Sequence, residues 1–115
     1  MPTSRLHVAG DPALALIVRM FVGAVAERWN APEQSRDDLR LAASELFSIA
    51  VEAGKGPVTF ELSSAETGLE LRAGDVHLGG ADGEHEGWSG VELIRALFPD
   101  AEIGDTVRIR IPAPA

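Results

Sequence analysis

The chain has 115 residues, 45% of them hydrophobic and 24% charged, and no cysteine. That length supports one domain with its own core, and the missing cysteines exclude a disulfide framework and thiolate metal sites. The formal net charge is −8, from 18 acidic and 10 basic residues. The basic residues are scattered from Arg5 to Arg110 with no cluster along the sequence, so direct nucleic-acid binding is not expected, while a basic protein partner suits the acidic field. The longest apolar run, "ALALIVRMFVGAVA", is broken by Arg19 and falls short of the roughly 18–20 residues that a membrane span needs. No signal-peptide pattern opens the chain, so a cytoplasmic location is expected.

"RLHV" at 5–8 alternates and predicts a short edge strand. Asp11 is a good N-cap and Pro12 suits a first helical position. Leu14, Ile17, Val18, Phe21 and Val25 then recur at helical spacing, predicting a helix over 12 to about 29 that buries this stripe. Arg19, Glu27, Arg28 and Trp29 are candidate exposed contacts for a partner, with Trp29 equally readable as the end of the buried stripe. "NAPEQ" at 30–34 predicts a turn, and Ser35 with Asp38 resembles a capping box that opens a second helix. Leu39, Ala42, Ala43, Leu46, Ala50 and Ala53 form its apolar face, and Gly54 is placed to end it.

Val58, Phe60 and Leu62, then Leu69, Leu71 and Ala73, alternate with polar residues around "SSAETG". That is the pattern of a β-hairpin with one buried face. Residues 74–88, "GDVHLGGADGEHEGW", hold little that would build a core and predict a loop. Ser89 with Glu92 resembles a capping box for a helix running to about Phe98, stopped by Pro99. Val107, Ile109 and Ile111 alternate with Arg108 and Arg110 as a last strand. The order of elements implies a single-domain α+β fold, a two-layer sandwich with helices collected on one face of a mixed, mostly antiparallel sheet.

Glu45 and Ile49 stand one helical turn apart within "DDLRLAASELFSIAVEAG" at 37–54. This helix, the hairpin leading into Asp75, the glycine-rich loop and "GWSGVELIRAL" at 87–97 together resemble the histidine-kinase-like ATPases of the GHKL superfamily. Within it the chain looks like the small bacterial anti-sigma factors that double as serine protein kinases. The resemblance covers nearly the whole chain and implies the Bergerat fold. It also implies a glutamate acting as general base, here Glu45, and four residues on an asparagine that holds magnesium. Ile49 stands at that asparagine's position and offers none of the hard oxygens that magnesium requires. Ser48 points about 100° away on a helix and does not replace it.

The family's Asp-x-Gly-x-Gly reads here as "DVHLG": Asp75 and Gly79 match, and His77 replaces the first glycine. The family's phosphate-facing glycine cluster reads as Gly87, Ser89 and Gly90, with Trp88 inserted. Read without the resemblance, Glu45 is a solvated helix glutamate, Asp75 a turn residue, and Gly87, Ser89 and Gly90 ordinary helix-start residues. With it, three worn motifs imply a pseudo-kinase with a degenerate ATP site. ATP binding is left open, magnesium is not expected, and protein binding is retained. By resemblance the partners are a sigma factor and an anti-anti-sigma factor of the STAS fold, with self-association into a homodimer left open. One alternative is an active ATP-dependent kinase that uses Glu45 to phosphorylate the STAS partner. Another is cation binding by Asp82, Glu84, His85 and Glu86, with or without His77.

Overall fold

A computed structural model describes residues 3–54, 57–65, 68–74 and 90–112. Strand β1 (Thr3–Val8) leads into a 3-10 turn (Pro12–Leu14) and helices α1 (Ala15–Arg28) and α2 (Glu33–Glu52). Strands β2 (Val58–Ala65) and β3 (Gly68–Gly74), helix α3 (Gly90–Leu97) and strand β4 (Val107–Pro112) follow. The strands lie side by side in the order β1-β2-β3-β4, and all three ladders are antiparallel. The result is the expected α+β sandwich, with no parallel ladder among the described residues.

The start of the helical layer follows the sequence closely. The Asp11 side chain accepts from the Ala13 N–H, and Pro12 sits in the first turn. The end of α1 is a Schellman arrangement: Asn30 takes a left-handed φ of 66°, the Ala31 N–H donates to the Ala26 carbonyl, and the Asn30 N–H donates to that of Glu27. Asparagine tolerates this backbone better than most non-glycine residues. Helix α2 begins earlier than the Ser35–Asp38 pair suggests. Pro32 is its N-cap residue, with no side-chain cap bond, and the Arg36 N–H donates to the Pro32 carbonyl. Asp38 instead accepts from the Gln34 amide one turn back. Proline's fixed φ, −57° here, is compatible with entry into a helix, and Glu33 in the first turn favours the helix dipole. Gly54 ends α2 at φ 73°.

The hairpin is longer than its sequence pattern. The ladder runs on through Ser64↔Leu69 to Ala65↔Gly68, so most of "SSAETG" joins the strands. Val58, Phe60, Leu62, Leu69, Leu71, Ala73, Val107, Ile109 and Ile111 all point into one core. They meet Val18, Val22, Ala26, Leu39, Leu46, Phe47, Ala50, Val91 and Ile94 from the helices, and no described polar side chain is buried with them.

The α1 stripe is rotated from its expected position. Val18, Val22, Gly23 and Ala26 are buried, Leu14, Phe21 and Val25 flank them, and Ile17 is 45% exposed. The helix is apolar over most of its circumference, so periodicity alone did not fix which stripe faces inward. Trp29 is half-buried and packs against the core from its edge, in keeping with its reading as the end of the buried stripe. Arg19, Glu27 and Arg28 are exposed as expected. No helix among the described residues is long and apolar enough to cross a membrane.

Candidate functional site

Helix α2 turns Leu46, Phe47 and Ala50 fully into the core. That leaves Glu45 and Ile49, one turn apart, half-buried along the flank facing α3. Helix α3 is anchored by Val91 and Ile94, and its first residue, Gly90, comes to rest against that flank. A Cβ placed on Gly90 would stand 2.6 Å from Ile49 Cδ1, 3.1 Å from Ile49 Cγ1 and 3.0 Å from Glu45 Oε2. Contacts under 3.0 Å are not ones that a real Cβ makes, so the approach requires glycine unless Ile49 moves. Of the candidate site residues, Glu45 and Gly90 are therefore brought together, and Ile49 beside them packs against the core. Asp75, Gly79, Gly87 and Ser89, and the 74–88 loop beyond Gly74 with its cation-binding candidates, lie outside the described residues.

The described residues do not fit a magnesium ion at this place. Glu45 supplies one carboxylate, and Ile49 presents hydrocarbon where a second oxygen would be needed. No group of three or more His, Asp or Glu among the described residues is arranged to hold a metal. What the described residues retain is a carboxylate beside the backbone at the start of a helix.

Two further surfaces stand out. Leu16, Ile17 and Met20 are 55%, 45% and 60% exposed on α1, next to a shallow groove lined by Arg19, Met20, Gly23, Ala24, Glu27 and Arg40. Gly23 lets the Arg40 stem cross α1, since a Cβ there would lie 2.9 Å from Arg40 Cδ. Sequence reasoning missed the apolar patch because it assigned Ile17 to the core. The signal available was that Leu16, Ile17 and Met20 lie off the Val18–Val22–Ala26 line. The second surface is the outer face of the sheet, where Arg5, Glu61, Glu70, Arg72, Arg108 and Arg110 emerge.

A helix bearing Glu45, packed over an antiparallel sheet and faced by a glycine at the next helix start, defines an ATPase-type sandwich. A family model described as the histidine kinase-like ATPase domain matches residues 8–111, and the chain belongs to that family. No curated protein is matched by this sequence.

Proposed function

We propose that the domain acts as a protein-binding regulator of the anti-sigma type, with a degenerate nucleotide site and little or no kinase activity. The observation that carries this reading is Ile49 packed against Gly90 beside Glu45. Phosphoryl transfer depends on metal ions bridging the phosphates and on close placement of the nucleophile. At the family's metal-ligand position this chain has a branched hydrocarbon, held by its contact with the helix that follows the phosphate-facing loop. Glu45, even as a competent base, has no metal-activated phosphate to serve.

The α1 surface supports the binding half of the proposal. Leu16, Ile17 and Met20 form an exposed apolar group beside the charged Arg19 and Glu27, a combination typical of protein contact surfaces. The partners proposed from the family resemblance are a sigma factor and a STAS-type antagonist.

Calorimetric titration with ATP, with and without magnesium, tests the nucleotide half, run beside a phosphotransfer assay on a STAS-type protein. The expected result is no magnesium-dependent gain in affinity and no phosphorylated product. Micromolar magnesium-dependent binding with phosphotransfer overturns the reading in favour of an active serine kinase. Sigma-factor binding in nucleotide-free buffer, weakened by Met20→Asp, is the expected result for the binding half, and no binding to any sigma factor of the host refutes it.

A further inference from the structure

The basic residues are dispersed along the sequence, but the fold gathers four arginines on the sheet face turned away from the helices. Register places Arg5, Glu61, Arg72 and Arg108 in one row across the four strands, and Thr3, Ser63, Glu70 and Arg110 in the next. The inward neighbours of these residues on β2, β3 and β4 are buried, whereas Arg5, Arg72 and Arg110 are exposed.

The carboxylates on this face are unevenly shared. Arg5 donates to Glu61 Oε2 at 3.0 and 2.6 Å. Arg110 lies 3.1 Å from Glu70 and 3.2 Å from Glu102. Arg108 stands 3.9 and 4.0 Å from those same two residues, beyond hydrogen-bond reach. Arg72 has no ion pair among the described residues. Arg72 faces Glu61 on β2 and Arg108 on β4, and the like-charged pair disfavours the ladder at that place. An anion between the two arginines would remove that repulsion, engage an Arg72 guanidinium that has no ion pair among the described residues, and compete for an Arg108 guanidinium held only at 3.9–4.0 Å.

We propose that Arg72 and Arg108 are the centre of a docking surface for an acidic polypeptide segment, whose carboxylates pair with the two guanidiniums. Guanidinium planes bind carboxylates in paired hydrogen bonds. Charge pattern selects a polypeptide over a nucleic acid. Glu61, Glu70 and Glu102 flank the arginines, and a continuous phosphate chain would have to run over them. Spaced carboxylates on a peptide meet the arginines and avoid the glutamates. This surface is separate from the Glu45–Gly90 contact and from the exposed face of α1, and it stands whether or not nucleotide binds.

The test is amide and arginine Nε–Hε NMR on the full chain in low salt, titrated with a twelve-residue peptide of alternating Glu and Ala. Shifts concentrated at Arg72, Arg108 and their β3 and β4 neighbours are expected. A loss of affinity of about fivefold is expected in Arg72→Ala, with Arg72→Lys intermediate. A melting temperature that does not fall in either variant shows that the loss is local. A Lys-Ala peptide should leave the Arg72 and Arg108 Nε–Hε resonances unchanged. The proposal is overturned by shifts that avoid β3 and β4, by equal affinity in Arg72→Ala, or by tighter binding of a thymidine dodecamer to the same arginines.

Discussion

At residue scale, the contact of Ile49 with Gly90 makes a coupled pair. Gly90→Ala places a methyl 2.6 Å from Ile49 Cδ1 and 3.0 Å from Glu45 Oε2. Overpacking of this kind typically costs ~1–3 kcal/mol, and the low end is expected because an isoleucine tip yields more readily than backbone. Truncating the obstruction should remove the cost, so Gly90→Ala in an Ile49→Ala background is expected to be neutral within about 0.5 kcal/mol. Chemical denaturation of the four proteins in the cycle measures this coupling. Additive effects would mean that the two side chains do not meet. Ile49→Asn returns an oxygen ligand, yet His77 still stands at a glycine position of the family motif, so no phosphotransfer is expected from that single change. A phosphotransfer assay on Ile49→Asn checks it.

At the scale of elements, the helices differ in how firmly sequence fixes their inner face. Leu46 on α2 is fully buried, and Leu46→Ala should cost about 2–5 kcal/mol in denaturant titration. A loss under half a kcal/mol would mean that the α2 face is assigned wrongly. On α1 the contrast is sharper. Val22 is 0% exposed and Ile17 is 45% exposed, so Val22→Ala is expected to destabilise clearly, while Ile17→Ser should change stability by no more than about 0.5 kcal/mol. The same Ile17→Ser change should weaken partner binding, a readout that separates a contact residue from a core residue. Helix α2 was legible because its polar residues confine the apolar face to one side. Helix α1 was legible as a helix, through Asp11 and Pro12, but not in its rotation, because apolar residues surround it. The strands were legible from alternation, whereas the continuation of β2 and β3 through Ser64, Ala65 and Gly68 was not, since serine and glycine signal turns in the absence of a partner strand. The sheet-face arginines were invisible for a simpler reason: Arg72 and Arg108 are far apart in sequence and meet only through strand register.

At the scale of the whole molecule, the sandwich does not need a ligand to complete its core. The apolar residues of β1–β4 and α1–α3 form one contiguous cluster, with no described polar side chain buried inside. A core completed by the chain's own apolar residues is expected to fold without nucleotide. Linkage turns this into a measurement. A ligand present at 100 times its dissociation constant stabilises the state it binds by about 2.7 kcal/mol. In a domain of this size each kcal/mol moves the melting temperature by roughly 4–8 °C. A working magnesium–ATP site with a dissociation constant of about 10 μM would therefore raise the melting temperature by ~10–20 °C at about 1 mM ligand. With Ile49 at the ligand position, the expected shift is below about 2 °C and is the same whether magnesium or a chelator is present. Scanning the full chain with ATP under both conditions decides it. A large shift that vanishes on chelation would show that oxygens from elsewhere in the chain replace the missing ligand, and that Glu45 serves a live site.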